Sequence, residues 1–272
     1  SLENRTPVIR TNDLLAGTYT TSPVSTCVGH PFSIGCYSWG ELRSFSKREL
    51  MPYEISEESI HVLHRHVFPY SAKRNNHELW RSRTNGGLPV QIHDRFFSVY
   101  YWKTISMSEV PPGHEALIKL WTGGLIRKIE EELARDAHAD DEKKNTLKAM
   151  IISLEGVNAY ARNLARQALE ESKTTTNLQR KAELETMHRI LLKIPENPSE
   201  TLHEAVQNII LMHLCLGMES TDDGPMYGRL DQILQPYFES DMHKLTTPQK
   251  REAYIKQVID ILGCLYFIES SH

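Results

Sequence analysis

From residue 114 onward, apolar side chains recur at helical spacing. Leu117, Trp121, Leu125, Ile129 and Leu133 fall every four residues, which predicts a helix with one buried stripe. Gly123-Gly124 interrupts that stripe and costs helix propensity, so a close backbone approach is expected there. A longer helix is predicted over about 141–172, with Leu147, Met150, Ile151, Leu154, Val157, Ala161, Leu164 and Ala168 as its inner face. Another covers about 178–193, and Pro195 and Pro198 follow it into a loop. Thr201-Leu202-His203-Glu204 reads as a capping box that opens a helix from Ala205 to about Leu216. That helix is apolar all round (Ile209, Ile210, Leu211, Met212, Leu214, Leu216), the pattern of an element deep inside a large protein. Two further helices are predicted at roughly 228–240 and 248–268. Thr247 and Pro248 give the second a strong start signal, and Tyr254, Val258, Ile261, Leu262 and Leu265 give it an apolar face.

Before residue 114 the pattern is weaker. Residues 1–55 are rich in Thr, Ser, Gly and Pro without a sustained period, and read as irregular structure with short strands at 8–10 and 18–20. A helix is expected over 56–68, with Ser56 as cap, Glu57 and Glu58 at its positive end, and Ile60, Leu63 and Val67 on one face. Residues 70–113 are mixed and hold the aromatic run Phe96, Phe97, Tyr100, Tyr101, Trp102. The expected fold is therefore mainly α with a few short strands. The chain is read as a single region over 1–272, mixed over 1–113 and helical over 114–272.

Composition narrows the function classes. The 272 residues are 40% hydrophobic and 24% charged, as in an ordinary globular protein with a sizeable core. A net charge of −4 gives no footprint for nucleic acid or an anionic membrane surface. No apolar run reaches bilayer length, and the N-terminal stretch SLENR lacks the apolar segment of a signal peptide. Cys27, Cys36, Cys215 and Cys264 form no CxxC pair, which favours reduced, cytoplasmic conditions over a disulfide framework. His61, His64 and His66 cluster locally, but no HExxH or Cys pair completes a metal set, so they read as a solvated helix face. Phosphate-binding glycine loops and a G-x-S-x-G elbow are also absent.

The stretch Glu219-Ser220-Thr221-Asp222-Asp223-Gly224-Pro225-Met226-Tyr227-Gly228-Arg229-Leu230-Asp231-Gln232 is a dense polar loop directly after the all-apolar helix. Sites tend to be mounted on loops that follow buried elements. Arg229 is the natural partner for Asp231 or Glu219, and a salt-bridged turn joining two helices is the simplest structural reading.

The run Ile194-Pro195-Glu196-Asn197-Pro198-Ser199-Glu200-Thr201-Leu202-His203-Glu204-Ala205-Val206-Gln207, followed by Gly228-Arg229-Leu230-Asp231-Gln232-Ile233-Leu234-Gln235-Pro236-Tyr237-Phe238-Glu239-Ser240-Asp241, resembles glycyl radical enzymes. Those carry an IPxxPxxTxxEALQ helix start and then GRxDQxLxPYYxxD. Ala149–Val157 and the stretch from Phe45-Ser46-Lys47-Arg48 through Pro52-Tyr53-Glu54-Ile55-Ser56-Glu57-Glu58 are also similar to family segments, in the family's order, from about residue 13 onward. The fit is closer to the dehydratase, decarboxylase and lyase branch than to pyruvate formate-lyase itself.

The resemblance implies the N-terminal part of a ten-stranded α/β barrel wrapped by helices. It also implies radical chemistry: a glycyl radical, installed by a separate radical-SAM activating enzyme, passes to a cysteine thiyl that abstracts hydrogen from substrate. The family's Cys loop and its RVxGY radical segment lie beyond the matching region, and none of the four cysteines occupies a thiyl position. These residues alone are thus expected to be inactive, with no catalytic residue, metal or cofactor of their own. Implied partners are a small polar or cationic substrate, the activating enzyme, and a homodimer mate or a C-terminal half.

Members that act on diols have ESNGHSxSxGR where this chain reads Glu219 to Arg229, which puts Asp223 and Gly224 at the family's His and Ser. A weaker alignment of residues 108–115 puts Glu109 at another family His. Glu109, Ser220, Asp222, Asp223 and Arg229 are accordingly the expected substrate-binding residues, in a pocket more acidic than a diol dehydratase's. The other reading is a non-catalytic helical scaffold or binding protein derived from this family.

Overall fold

The computed structural model describes residues 8–18, 42–49, 52, 54–71, 113–136, 140–219 and 227–269, and the chain divides into two packed units. One comprises residues 1–26, 110–215 and 226–272, the other residues 27–109 and 216–225.

In the second of these, a single 3-10 turn, Leu42–Lys47, places Leu42 and Phe45 against Ile60 and Phe68 in a small core. Arg48 lies over the Phe45 ring at 3.8 Å. Helix α1 (Glu57–Val62) starts where the sequence places it, with the Ser56 side chain accepting from the Ser59 amide at 3.1 Å. It continues through a π turn, Leu63–Val67, into α2 (Phe68–Ser71). His61 and His66 are exposed and His64 half-buried edge-on to Phe68, in keeping with a solvated face rather than a ligand set.

The larger unit contains α3 (His114–Arg135), α4 (Asp141–Thr174), α5 (Leu178–Lys193), most of α6 (Leu202–Glu219), α7 (Leu230–His243) and α8 (Pro248–Glu269). Polar caps define the starts. Asp140 accepts from the Lys143 amide, Asn177 from those of Gln179 and Arg180, and Thr247 from that of Lys250. The capping box forms as read: Thr201 Oγ1 accepts from Glu204 N at 3.2 Å, while Glu204 Oε2 accepts from Thr201 N at 3.3 Å.

Helix α6 is the centre of the core. Ala205, Val206, Ile209, Ile210, Leu211 and Leu214 have no exposed surface, which satisfies the all-apolar pattern. Tyr160, Leu164 and Ala168 of α4, Leu184, Met187 and Leu191 of α5, and Ile261 and Leu265 of α8 are likewise buried. Of the inner face expected for α4, Val157, Ala161, Leu164 and Ala168 are buried and Leu147, Ile151 and Leu154 half-buried, whereas Met150 is 49% exposed. Length explains the difference. α5 has 16 residues against 34 in α4, and a short link ties it to α4's C-terminal end, so it reaches along only about half of α4.

Helix α3 is two helical pieces joined at Trp121, whose backbone is left-handed (φ 48°). The kink frees the Thr122 amide, which donates to Pro195 O at 2.9 Å, and the Thr122 hydroxyl sits 2.6 Å from Asn158 Oδ1. Gly123 makes the close approach that its sequence position suggests: a Cβ there would lie 2.6 Å from Glu196 O.

The strands expected at 8–10 and 18–20 are corrected where they can be seen. No strand occurs among the described residues, and residues 8–18 form an irregular strap, with residues 19–20 outside the described set. Its backbone groups go to side chains instead of to a neighbouring strand. Arg180 donates to Arg10 O and Asp13 O, Gln207 receives Ala16 N and donates to Ala16 O, and Cys264 Sγ accepts from Leu14 N.

His203 completes the clamp by donating Nε2–H to Leu14 O at 2.9 Å. Burial pushes its pKa below the ordinary 6.5, against the opposing pull of that carbonyl and of Glu204. As pH falls below 6.5 the unfolded chain therefore takes up the proton before the folded one does. Stability is intact above that value and is lost on acidification beneath it. The urea midpoint should drop between about pH 7.5 and 5.5, and His203→Gln, which keeps a donor but cannot titrate, should flatten that slope. Equal slopes in the two proteins would remove His203 from the explanation.

Candidate functional site

The polar stretch after α6 is described at its shoulders. Glu109, Ser220, Asp222 and Asp223 lie outside the described residues, whereas Arg229 is within them. Arg229 Nε and Nη2 donate to the two carboxylate oxygens of Asp231 at 2.9 and 2.7 Å, the fork geometry that suits a guanidinium. That bond pulls the Asp231 carboxyl down to about 2. Both side chains are largely exposed, so the pair shapes the lead-in to α7 without adding much stability. Gly228, at φ 69°, supplies the left-handed residue that turns the chain into it.

Just inside this lead-in lies a buried aromatic cluster. His213, on α6, is wholly buried, and His114, the first residue of α3, is 2% exposed. Their Nε2 atoms are 2.8 Å apart. One ring must therefore present Nε2–H and the other an Nε2 lone pair, so as neutral imidazoles the two hold opposite tautomers. Tyr227 stacks on His213 with ring centroids 4.1 Å apart and planes at 2°, and lies 5.9 Å from the His114 ring. The cluster joins the start of α3, α6 and the lead-in to α7 through aromatic side chains.

Of the two partners read for Arg229, Asp231 or Glu219, the structure pairs it with Asp231. The cluster beside them was not anticipated. A signal for it existed: His213 is a polar intruder in the apolar run Ile209–Leu216, and His114 follows Gly113, whose φ is 72°. The sequence gives no means of pairing two histidines 99 residues apart. No group of three or more His, Cys, Asp or Glu that could hold a metal occurs among the described residues.

The sequence matches the pyruvate formate lyase-like family over residues 1–270. The chain belongs to this family. Among pyruvate formate lyase-like relatives, the isethionate sulfite-lyase of Oleidesulfovibrio alaskensis is 26% identical, covering 83% of this chain and 28% of its own length. The trans-4-hydroxy-L-proline dehydratase of Clostridioides difficile is 25% identical, covering 97% and 33% respectively. The glycerol-bound B12-independent glycerol dehydratase of Clostridium butyricum superposes with a TM-score of 0.83 at 25% identity, over 98% of this chain and 33% of that one. The chain thus spans about a third or less of the length of these pyruvate formate lyase-like proteins. Within the family frame, Cys215 is buried in α6, and Cys264 is half-buried in α8 with its thiol accepting from Leu14 N. Burial pushes the Cys264 thiol up, away from thiolate reactivity.

Proposed function

We propose that the chain is the N-terminal part of a glycyl radical enzyme of lyase or dehydratase type, acting on a small polar substrate and inactive by itself. The family match over residues 1–270 carries this reading. Relatives named as lyases and dehydratases of small polar compounds support its reaction class. In the complete enzyme a glycyl radical, installed by a radical-SAM activating enzyme, would supply the hydrogen abstraction. The ten-stranded barrel, the thiyl cysteine and a homodimer mate or C-terminal half belong to that complete assembly, and a cytoplasmic location goes with it.

This chain's own contribution is recognition. Ser220 can donate to or accept from a substrate hydroxyl, and Asp222, Asp223 and Glu109 can accept from hydroxyls or pair with an ammonium. Arg229 offers less free positive charge than its type suggests, because the Asp231 carboxylate already occupies its Nε–Nη2 edge. The balance is acidic, which favours a neutral polyol or a cationic group over a sulfonate.

The test is anaerobic activation of the intact protein by its radical-SAM partner, with electron paramagnetic resonance to detect the radical and product analysis for glycerol, trans-4-hydroxy-L-proline and isethionate. Turnover of either of the first two, and rejection of isethionate, is the expected result. Asp223→Asn should raise KM about tenfold, the factor for losing one charge-assisted contact. An unchanged KM would overturn the acidic pocket. Failure of any radical to form would favour the non-catalytic scaffold.

A further inference from the structure

We infer that His114, His213 and Tyr227 form a positioning triad, in which the bond between the two imidazoles sets where the segment from Tyr227 to Asp231, and with it Arg229, stands. Three observations support each other. The Nε2–Nε2 distance of 2.8 Å, between rings with almost no exposed surface, holds the facing edges of the two imidazoles together. The stack of Tyr227 on His213, within 2° of parallel, passes the His213 plane to Tyr227. From Tyr227 the chain reaches Arg229 through Gly228 in its left-handed conformation, and the Arg229 fork is closed on Asp231.

Simple core filling explains the burial but not the chemistry. Two imidazoles cost desolvation that leucines would not, and their mutual bond, which needs one relative orientation, offsets part of it. Orientation is thus what the pair contributes. Helix α3's first residue, α6 and the lead-in to α7 are held in one arrangement by it. The triad's effect on catalysis rests on the reading of Arg229 as a substrate-binding residue, whereas its effect on position can be measured without any substrate.

Nitrogen-detected NMR of the imidazoles should find His114 and His213 in opposite tautomers. Hydrogen exchange of His114→Leu should quicken about tenfold or more at residues 227–233, while α4 and α5 stay within about twofold of the parent. His114→Gln places an amide nitrogen where the ring Nε2 was, and should stay within about threefold at every site. Two rings in the same tautomer, a Gln variant as loose as the Leu variant, or equal quickening in α4 and α5 would each overturn the triad. Should His114→Leu fail to fold, the tautomer measurement and the Gln variant still decide. In the activated intact enzyme, His114→Leu should raise KM for the turned-over substrate with kcat nearly unchanged. The exchange result without the KM shift would leave the triad standing and sink the substrate role of Arg229.

Discussion

Asp241→Ala should lower the unfolding free energy by about 3 kcal/mol, read from urea denaturation followed by circular dichroism. Asp241 is 9% exposed, and its carboxylate ties three helices together. Oδ2 accepts from the Leu202 amide at 2.9 Å and from the Tyr254 hydroxyl at 2.9 Å, and Oδ1 accepts from Lys244 at 3.1 Å. The Lys244 contact is exposed at its cationic end and contributes little. The other two matter, because alanine would strand an amide at the start of α6 and a phenol on α8. Burial and the bond to Asp241 both push the Tyr254 pKa up, so the hydroxyl remains a donor across the working pH range. Tyr254→Phe removes one donor together with its need for a partner and should cost only about 1 kcal/mol. If Asp241→Ala costs no more than Tyr254→Phe, the α6 amide is not held by this carboxylate in solution.

Gly123→Ala and Gly124→Ala should move stability in opposite directions. On propensity alone each would gain up to about 1 kcal/mol, since alanine is the better helix former. At Gly124 the nearest atoms to an added Cβ are ring atoms of Trp121 at 3.4 Å, an ordinary contact, so the propensity gain should survive. At Gly123 the Cβ would meet the Glu196 carbonyl oxygen at 2.6 Å, and a backbone atom cannot swing aside. Relief requires α3 to lift from the loop after α5, stretching the Thr122 amide's bond to Pro195 O. A net loss of about 2 kcal/mol is expected. Thermal midpoints of the two variants check the sign, and a Gly123→Ala protein as stable as the parent would mean that the approach is looser than described.

These two sites mark what could and could not be read in advance. The close approach at Gly123 was legible because paired glycines in a helical stripe have few other uses. So were the capping box at Thr201, the start at Pro248 and the buried cylinder around Ile209, where local chemistry and periodicity agree. Quantities that depend on what lies opposite were not. Met150 follows the period of α4's inner face, yet it stays exposed because α5 is too short to reach it. The kink at Trp121 needs a carbonyl, Pro195 O, that no local pattern announces. At the candidate site, the pairing of Arg229 with Asp231 follows from adjacency along the chain, while the meeting of His114 with His213 depends on how distant segments pack.

The strap at residues 8–18 stores its placement in an unusual location. Its carbonyls and amides are recognised by Arg180, His203, Gln207 and Cys264, and all four of those side chains read main-chain atoms of the strap. Part of the address is therefore written on the receiving helices, beside the strap's own buried Ile9 and Leu15. Gly17, at φ 109° with Leu214 Cδ1 2.5 Å from where a Cβ would be, could not change identity with the path preserved, and the Arg10 side chain is itself tied to Phe267 O. Over many generations such a segment can drift at exposed positions such as Thr11 and Asn12 while four remote side chains stay fixed. A comparison that scores the strap residue by residue would then underestimate how faithfully its course is kept.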